Sequence, residues 1–495
     1  MATASGPSSL TFSHVYADLF PELVIAWQGD PPPSPHLLVL NEALAEDLGI
    51  DSAELRSPEG VSLLASGAPA NGAQPVAQGY AGHQFGGYSP RLGDGRALLV
   101  GEIATPNGSM FDLHLKGSGR TPFSRGGDGK AAVGPMLREY LISEAINALA
   151  IPTTRALSVV STGEEIRRDR LEPGAVLARV ASSHIRVGTF QYAAALGGED
   201  LTKRLADHAI ARHYPHTASA TNPYLAFYDA VVSAQSQLLA KWMSVGFVHG
   251  VMNTDNTTIS GETIDYGPCA FIDSYDPAAV FSSIDHGGRY AFGQQPSIVG
   301  WNLARLAEAL LPLLDTDQDR AVALATEILQ DLPHRFSSYW RIEMRSKLGL
   351  SSQALEDNEL FDDLLALMHE QEADFTKTFR ALSQLVLGDR EPVYACFGDP
   401  SGFAPWAERY LARLESEARP AEQVAEEMDR VNPIYIPRNH LVDEALKAAT
   451  NGNLEPFNAL LELVRAPYTQ VQVAQRYAEP ASRVFNESFQ TFCGT

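Results

Sequence analysis

A chain of 495 residues, 45% hydrophobic and 20% charged, has material for a large core, and its 60 Asp and Glu against 37 Lys and Arg leave a net charge of −23. That balance repels nucleic-acid backbones and anionic membranes, and no run of about 18 apolar residues offers a spanning helix, so neither nucleic acid nor membrane is expected as a partner. The first basic residue is Arg56, which argues against a secretory or Arg-rich leader and predicts a cytoplasmic protein; Cys269, Cys396 and Cys493 are too few for a disulfide framework or a Cys-rich zinc site.

Residues 1–80 mix helical pieces with Pro-rich breaks and read as an N-terminal extension. Within them "LNEALAEDLGI" (40–50) has helical spacing at Leu40, Leu44 and Leu48, and Gly49 ends it as a C-cap. Residues 81–190 read as a β-rich lobe in which glycine is dense, first in "GYAGHQFGGYSPRLGDGRALLVGE" and then in "KGSGRTPFSRGGDGK". "RALLVGEIAT" and "MFDLHLKG" read as strands, and the Asn107-Gly108 pair joins them as a hairpin. In the second strand Phe111, Leu113 and Leu115 share one face, which turns Asp112, His114 and Lys116 to the other, where a cleft would lie. The segment 133–150 reads as a helix with a stripe of Leu137, Leu141, Ala145 and Leu149, and Glu139 lies off that stripe. "TTRALSVVST", "EEIRRDR" and "GAVLARVAS" follow as strands and a turn, with Arg179 in the last and Arg186 just beyond it.

From about residue 191 the periodicity becomes helical. Residues 222–246 form a long amphipathic helix ending at Gly246, and "HGVMNTDN" (249–256) and "DYG" (265–267) follow as polar turns among short strand-like pieces. Residues 191–400 read as a helical lobe carrying these loops, and 401–495 as a C-terminal helical extension with Cys493 near its end. The expected fold is α+β: a bilobal protein-kinase-like arrangement of a β-rich N-lobe and a helical C-lobe, with an extension at each end.

The order of residue types supports that expectation. A kinase needs a Gly-rich hairpin over phosphates, a strand Lys, a helix Glu to fix it, and an Asn and an Asp for Mg²⁺. Here the order is Gly93-Asp94-Gly95-Arg96, Lys116, Glu139, Asn256 and Asp265. Lysine offers a point charge to phosphate oxygens, and Asn and Asp are hard oxygen ligands. The departure is the missing base. The residue five before Asn256 is Val251, which can neither accept nor orient a proton, while Asp255 lies directly before Asn256 and reads either as part of a polar turn or as a relocated base. A second phosphate cradle is also suggested by "RGGDGK" (125–130) with Arg179 and Arg186.

These stretches, with "FGQQPSIVGWNLARLAEAL" (292–310) and "NPIYIPRNHLVDEAL" (432–446), closely resemble the selenoprotein O family of kinase-like protein adenylyltransferases, from about residue 10 to the end. The resemblance implies ATP bound in a flipped orientation and transfer of AMP to Ser, Thr or Tyr hydroxyls of proteins, with release of pyrophosphate. It implies that Gly93, Gly95, Arg96, Lys116, Asp128, Gly129, Arg179 and Arg186 hold ATP. It makes Asn256 and Asp265 the ligands of Mg²⁺ (or Mn²⁺), Asp255 the proton acceptor, and Glu139 the partner of Lys116. It also implies a redox pair of Cys269 and Cys493, the latter standing where eukaryotic members carry selenocysteine. The readings kept beside it are transfer of UMP, ordinary phosphotransfer, and a non-catalytic nucleotide-binding scaffold.

Overall fold

The computed structural model describes residues 10–68 and 72–492. Its first half is built on an antiparallel sheet, eight-stranded among the described residues. In chain order the strands are β1 (Val24–Ala26), β2 (His36–Leu40), β3 (Val76–Gln78), β4 (Gly82–Gln84), β5 (Gly87–Ser89), β6 (Ala97–Ala104), β7 (Met110–Lys116), β8 (Ala131–Ala132), β9 (Arg155–Arg167) and β10 (Leu171–Ala181). The sheet order is β1-β3-β6-β7-β10-β9-β2, with β8 paired to β10, while β4 and β5 form a separate hairpin. The stretch expected as an N-terminal extension thus contributes β1, β2 and β3 to this sheet.

Strand alternation decides what each face carries. Leu113 and Leu115 of β7, with Val176, Ala178 and Val180 of β10, bury against Leu44, Leu48, Leu63 and Leu64 from the short helices Glu42–Asp47 and Pro58–Ser66 and the turn after the first. The other face receives the helix Val133–Ala148, whose Leu137, Leu141 and Ala145 pack with Leu99, Val159 and Leu177. The expected hairpin across Asn107-Gly108 forms, pairing Ala104 with Met110 and Ala97 with Lys116. "EEIRRDR" stays in β9 as far as Arg167, because pairing with β10 resumes beyond a bulge and reaches Leu171 opposite Arg167.

The second half is helical. Asn222 caps the helix Pro223–Ser244 by accepting from the Leu225 amide, and Gly246 (φ 74) follows its end. The two-stranded pair β11 (Phe247–Val248) and β12 (Ala270–Phe271) holds the loops 249–269 between its strands. The stretch Phe292–Leu314 is long and apolar enough by composition to cross a membrane, but half of it is buried in the fold, where Leu303, Leu306 and Leu310 join the core.

A second core gathers residues from Met344 to Met428 onto Val248, Ile272 and Phe292. Lys347 is buried there, with Nζ 4.2 Å from the Phe379 ring centroid and 5.6 Å from that of Phe375. Burial pushes its pKa down to about 7, with Glu343 pulling the other way. Folding therefore disfavours the charged form, and the cost is largest below pH 7 and fades as pH rises towards the unfolded value. Lys347→Met is expected to raise stability by roughly 2–4 kcal/mol at pH 6 and by less at pH 9, with a corresponding rise in melting temperature. Thermal melts at the two pH values check this.

Candidate active site

Antiparallel pairing sets Lys116 opposite both Ala97 and Leu177, and His114 opposite Arg179. Directly paired residues project from the same face, so Lys116, His114 and Arg179 all stand on the side of the sheet away from Leu113 and Leu115. Glu139 reaches them from the helix Val133–Ala148, and Asp265 from the loop between β11 and β12. Lys116 Nζ donates to Glu139 Oε2 at 2.6 Å and to Asp265 Oδ1 at 2.9 Å. Arg179 Nη1 donates to Glu139 Oε1 at 3.0 Å and to Asp265 Oδ1 at 2.7 Å. Arg186 Nη1 donates to Asp265 Oδ2 at 2.7 Å and to the Asp255 carbonyl at 2.7 Å. Five residues singled out in the sequence thus meet in one buried ion-pair network of three cations and two carboxylates.

Burial pushes the Asp265 carboxyl up, but Lys116, Arg179 and Arg186 outweigh it and hold the group well below the usual carboxylate range. Burial likewise opposes the charge on Arg179 and Arg186, and is outweighed for Arg179 chiefly by Asp265 and Glu139, and for Arg186 by Tyr80 and Asp265. Asp265 has φ 63, a left-handed conformation costly for a residue with a side chain and typical of residues held for a purpose. Three buried cations gathered on one carboxylate are the groups an incoming polyphosphate would take over.

Val251 is buried, and its carbonyl accepts the Asn256 Nδ2 hydrogen bond at 2.9 Å. Asp255, in the short 3₁₀ turn Thr254–Asn256, is also buried. Its Oδ2 accepts from Gln84 Nε2 at 3.3 Å, and its Oδ1 has no hydrogen-bond partner. Burial pushes its pKa up to about 6, against the opposing pull of Arg186. Two glycines make room for this turn. A Cβ on Gly82 would lie 2.5 Å from Asp255 Oδ1, and one on Gly188 would lie 2.1 Å from the Ala81 carbonyl. Asp255 thus keeps one buried carboxylate oxygen without a hydrogen-bond partner, packed against Gly82.

The glycine-rich loops converge at the same end of the sheet. Residues 79–96 connect antiparallel neighbours β3 and β6, and the Gly117 amide donates to the Arg96 carbonyl at 2.6 Å where β7 ends. The Ser124 hydroxyl donates to the Gly95 carbonyl, and the Gly119 amide to the Gly129 carbonyl at 3.1 Å, so Gly93–Arg96 and residues 118–130 form one double loop beyond Lys116. Asp128 stands apart from the ion-pair network: it is exposed and paired with Arg168 at 2.7 Å.

His114 ties this loop to the network. Its Nδ1 accepts from Arg179 Nη2 at 3.3 Å, which leaves Nε2 to donate to Asp94 Oδ2 at 3.1 Å, and its ring stacks on His184 at 4.2 Å. Burial lowers the His114 pKa, with Asp94 opposing, so the neutral ring is the form that fits both bonds. His114→Phe keeps the stack but removes one partner each from Asp94 and Arg179, leaving Asp94 the Gln78 amide and Arg179 its carboxylates. It is expected to lower kcat/KM for nucleotide about 10-fold and stability by roughly 1–3 kcal/mol. Steady-state kinetics and denaturant melts check both.

Among the described residues no cluster of three or more His, Cys, Asp or Glu surrounds a metal position. Asn256 and Asp265 are nonetheless hard oxygen donors, and Asn256 has its amide nitrogen committed to Val251, which leaves its oxygen for a cation. Two protein ligands suit Mg²⁺, which keeps waters and takes substrate phosphate oxygens. Cys269 is buried, and burial raises its thiol pKa to about 11; Cys493 lies outside the described residues. Tyr80, whose ring lies 4.7 Å from the Arg186 guanidinium carbon, and Gln84 were not singled out in the sequence; the glycines around them were the only local signal.

A family model described as "Protein adenylyltransferase SelO" matches residues 8–465. Proteins named "Protein nucleotidyltransferase YdiU" are similar over nearly the whole chain. The one from Mycobacterium sp. (strain KMS) is 56% identical over 489 residues, covering 99% of this chain and 100% of that protein. The one from Mycolicibacterium smegmatis is 54% identical over 499 residues, covering 100% of both. The one from Rhodococcus jostii is 56% identical over 485 residues, covering 97% of this chain and 94% of that protein.

Proposed function

Because the chain belongs to the protein adenylyltransferase SelO family, and is thus a nucleotidyltransferase acting on proteins, we propose that it binds ATP in the flipped orientation and transfers AMP to Ser, Thr or Tyr hydroxyls. The observation that carries this reading is Asp255: a buried carboxylate with one unpartnered oxygen, directly before Asn256, where the ordinary kinase position holds buried Val251. The kinase-like bilobal arrangement belongs to the same proposal, with Lys116 and Glu139 on the β-rich part and Asn256 and Asp265 on the helical part. We place the reaction in the cytoplasm, where ATP is abundant.

The ion-pair geometry supports the following roles within this proposal. Lys116, Arg179 and Arg186 hold the phosphate tail, and Glu139 fixes the first two by accepting from both. The double loop with Gly93, Gly95, Arg96, Asp128 and Gly129 encloses the far end of that tail. Asn256 and Asp265 would hold Mg²⁺, or Mn²⁺, which supplies charge neutralisation on phosphate oxygens when bound. The acceptor oxygen attacks the α-phosphorus, its proton passes to Asp255, and the bond to the bridging oxygen of the leaving pyrophosphate breaks. ATP labelled at the α-phosphate is expected to label acceptor protein, and γ-labelled ATP is not. Label from the γ-phosphate on protein would overturn the reading, and stronger labelling from UTP than from ATP would change the nucleotide.

We extend the proposal to a redox pair of Cys269 and Cys493. Thr491 Oγ1 donates to the Pro268 carbonyl at 2.8 Å, which supports it by bringing the C-terminal segment beside the metal loop. A free-thiol count and an activity unchanged by reductant in aerobically purified protein would refute it.

A further inference from the structure

The β4–β5 hairpin and its neighbours beside Asp255 carry rings and guanidinium groups that the roles above leave unused. The β4–β5 hairpin runs outward from the carboxylate. The His83 amide donates to Thr254 Oγ1 at 2.7 Å and Gln84 Nε2 to Asp255 Oδ2 at 3.3 Å. At the next residue the Phe85 amide donates to Asn253 Oδ1 and to Tyr290 Oη, each at 3.2 Å, which pins Phe85 at φ 50. Phe85 and Tyr88 are exposed at 38% and 47%. The His83 ring lies 4.8 Å from Tyr88 and 5.1 Å from Trp301, and the Phe85 ring lies 5.0 Å from Tyr290.

Two guanidinium groups flank the Trp301 indole, Arg289 and Arg305, each 5.0 Å from its centroid. Their carboxylate partners differ. Arg305 pairs with Glu308 at 2.7 Å. Asp285, the acid nearest Arg289 in sequence, accepts instead from the backbone amides of Arg289 and Tyr290. Among the described residues no carboxylate pairs with Arg289; its buried Nε has no hydrogen-bond partner, and its guanidinium also lies 5.7 Å from the Tyr290 ring and interacts with that side chain. A guanidinium stacked on an indole keeps its N–H edge for a carboxylate lying in its plane. In a chain of net charge −23, which repels acidic partners at long range, such a group beside the hairpin is an attractive point for one.

We propose that Arg289, Trp301 and the hairpin tip dock the acceptor protein, and that they favour a segment carrying an Asp or Glu side chain close to the hydroxyl presented to Asp255. The inference rests on the transfer reading above. The exposed rings of Phe85 and Tyr88 supply apolar contact for the same segment, and the hydrogen bonds from the hairpin to residues 253–255 fix its distance from the reacting carboxylate.

The test uses the full chain and matched Ser, Thr or Tyr peptides that carry Asp, Gln or Lys near the hydroxyl. Transfer is followed with α-labelled ATP and binding by fluorescence anisotropy. The Asp peptides are expected to be labelled with about 10-fold higher kcat/KM than the Lys peptides. Arg289→Gln should remove the preference and Arg289→Glu invert it, with ATP affinity unchanged. Peptide binding separates the two readings. Acidic preference in binding that depends on Arg289, without transfer, would sink the transfer reading and keep the docking surface. Transfer with no acidic preference, or with a preference untouched by Arg289→Glu, would overturn the docking surface alone. An equal loss of ATP affinity in Arg289→Gln would overturn it too, because Arg289 would then belong to the nucleotide site.

Discussion

Asp255→Asn is expected to lower protein labelling from α-labelled ATP by roughly 10³-fold while leaving ATP affinity within about 2-fold. The same substitution should make the protein more stable in the absence of nucleotide and metal. Asp255 has a folded pKa of about 6, raised first by burial above the ordinary carboxyl value of 3.8. A carboxyl raised by folding contributes stability below its unfolded pKa and loses it as pH rises through the folded value. At pH 8 the buried charge therefore costs roughly 2–3 kcal/mol, which the neutral amide removes. Melting in EDTA should show Asp255→Asn above wild type at pH 8 and level with it near pH 4. Intact labelling in the variant would remove Asp255 from the mechanism, whatever its effect on melting.

Asp265→Asn is expected to produce opposite changes in affinity and activity. The Asp265 carboxylate pairs with Lys116, Arg179 and Arg186, the cations proposed to hold the phosphates. On the proposed reading, nucleotide would displace that carboxylate and Mg²⁺ would then take it. Without the charge, metal-free ATP should bind roughly 10-fold more tightly, because it no longer competes with Asp265. Magnesium-dependent transfer should fall by at least about 100-fold. Without nucleotide the protein should lose roughly 3 kcal/mol, since Lys116 and Arg179 keep only Glu139 and Arg186 loses its carboxylate partner. Titration calorimetry in EDTA checks the affinity. Weaker metal-free binding in the variant would mean that Asp265 does not compete with phosphate.

Much of this centre was legible in the sequence because strand periodicity carries it. The alternation in "MFDLHLKG" separates Lys116 and His114 from Leu113 and Leu115, and the Asn107-Gly108 turn sets the register that places Lys116 opposite Ala97. Glu139 could be expected beside it from the helix that follows. The rest depends on contacts between distant segments that leave no local period. Gln84 meets Asp255 across 171 residues, and Asp94 meets His114 through a loop that reads only as glycine-rich. β1 and β3, three residues each, are too short to show alternation, so their membership of the sheet was hidden in a stretch read as an extension. Asp128, grouped with the phosphate-binding residues, also pairs with Arg168, a residue whose strand neighbours gave no sign of that partnership.

The orientation of the nucleotide is the claim on which the other assignments depend. A structure of the full chain with Mg²⁺ and an ATP analogue that resists cleavage between the α- and β-phosphates tests it directly. The account predicts the α-phosphorus as the phosphorus nearest the Asp255 carboxylate, with the β- and γ-phosphates among Lys116, Arg179, Arg186 and the double loop. A γ-phosphate nearest Asp255, with the α-phosphate towards the glycine-rich loops, would contradict it.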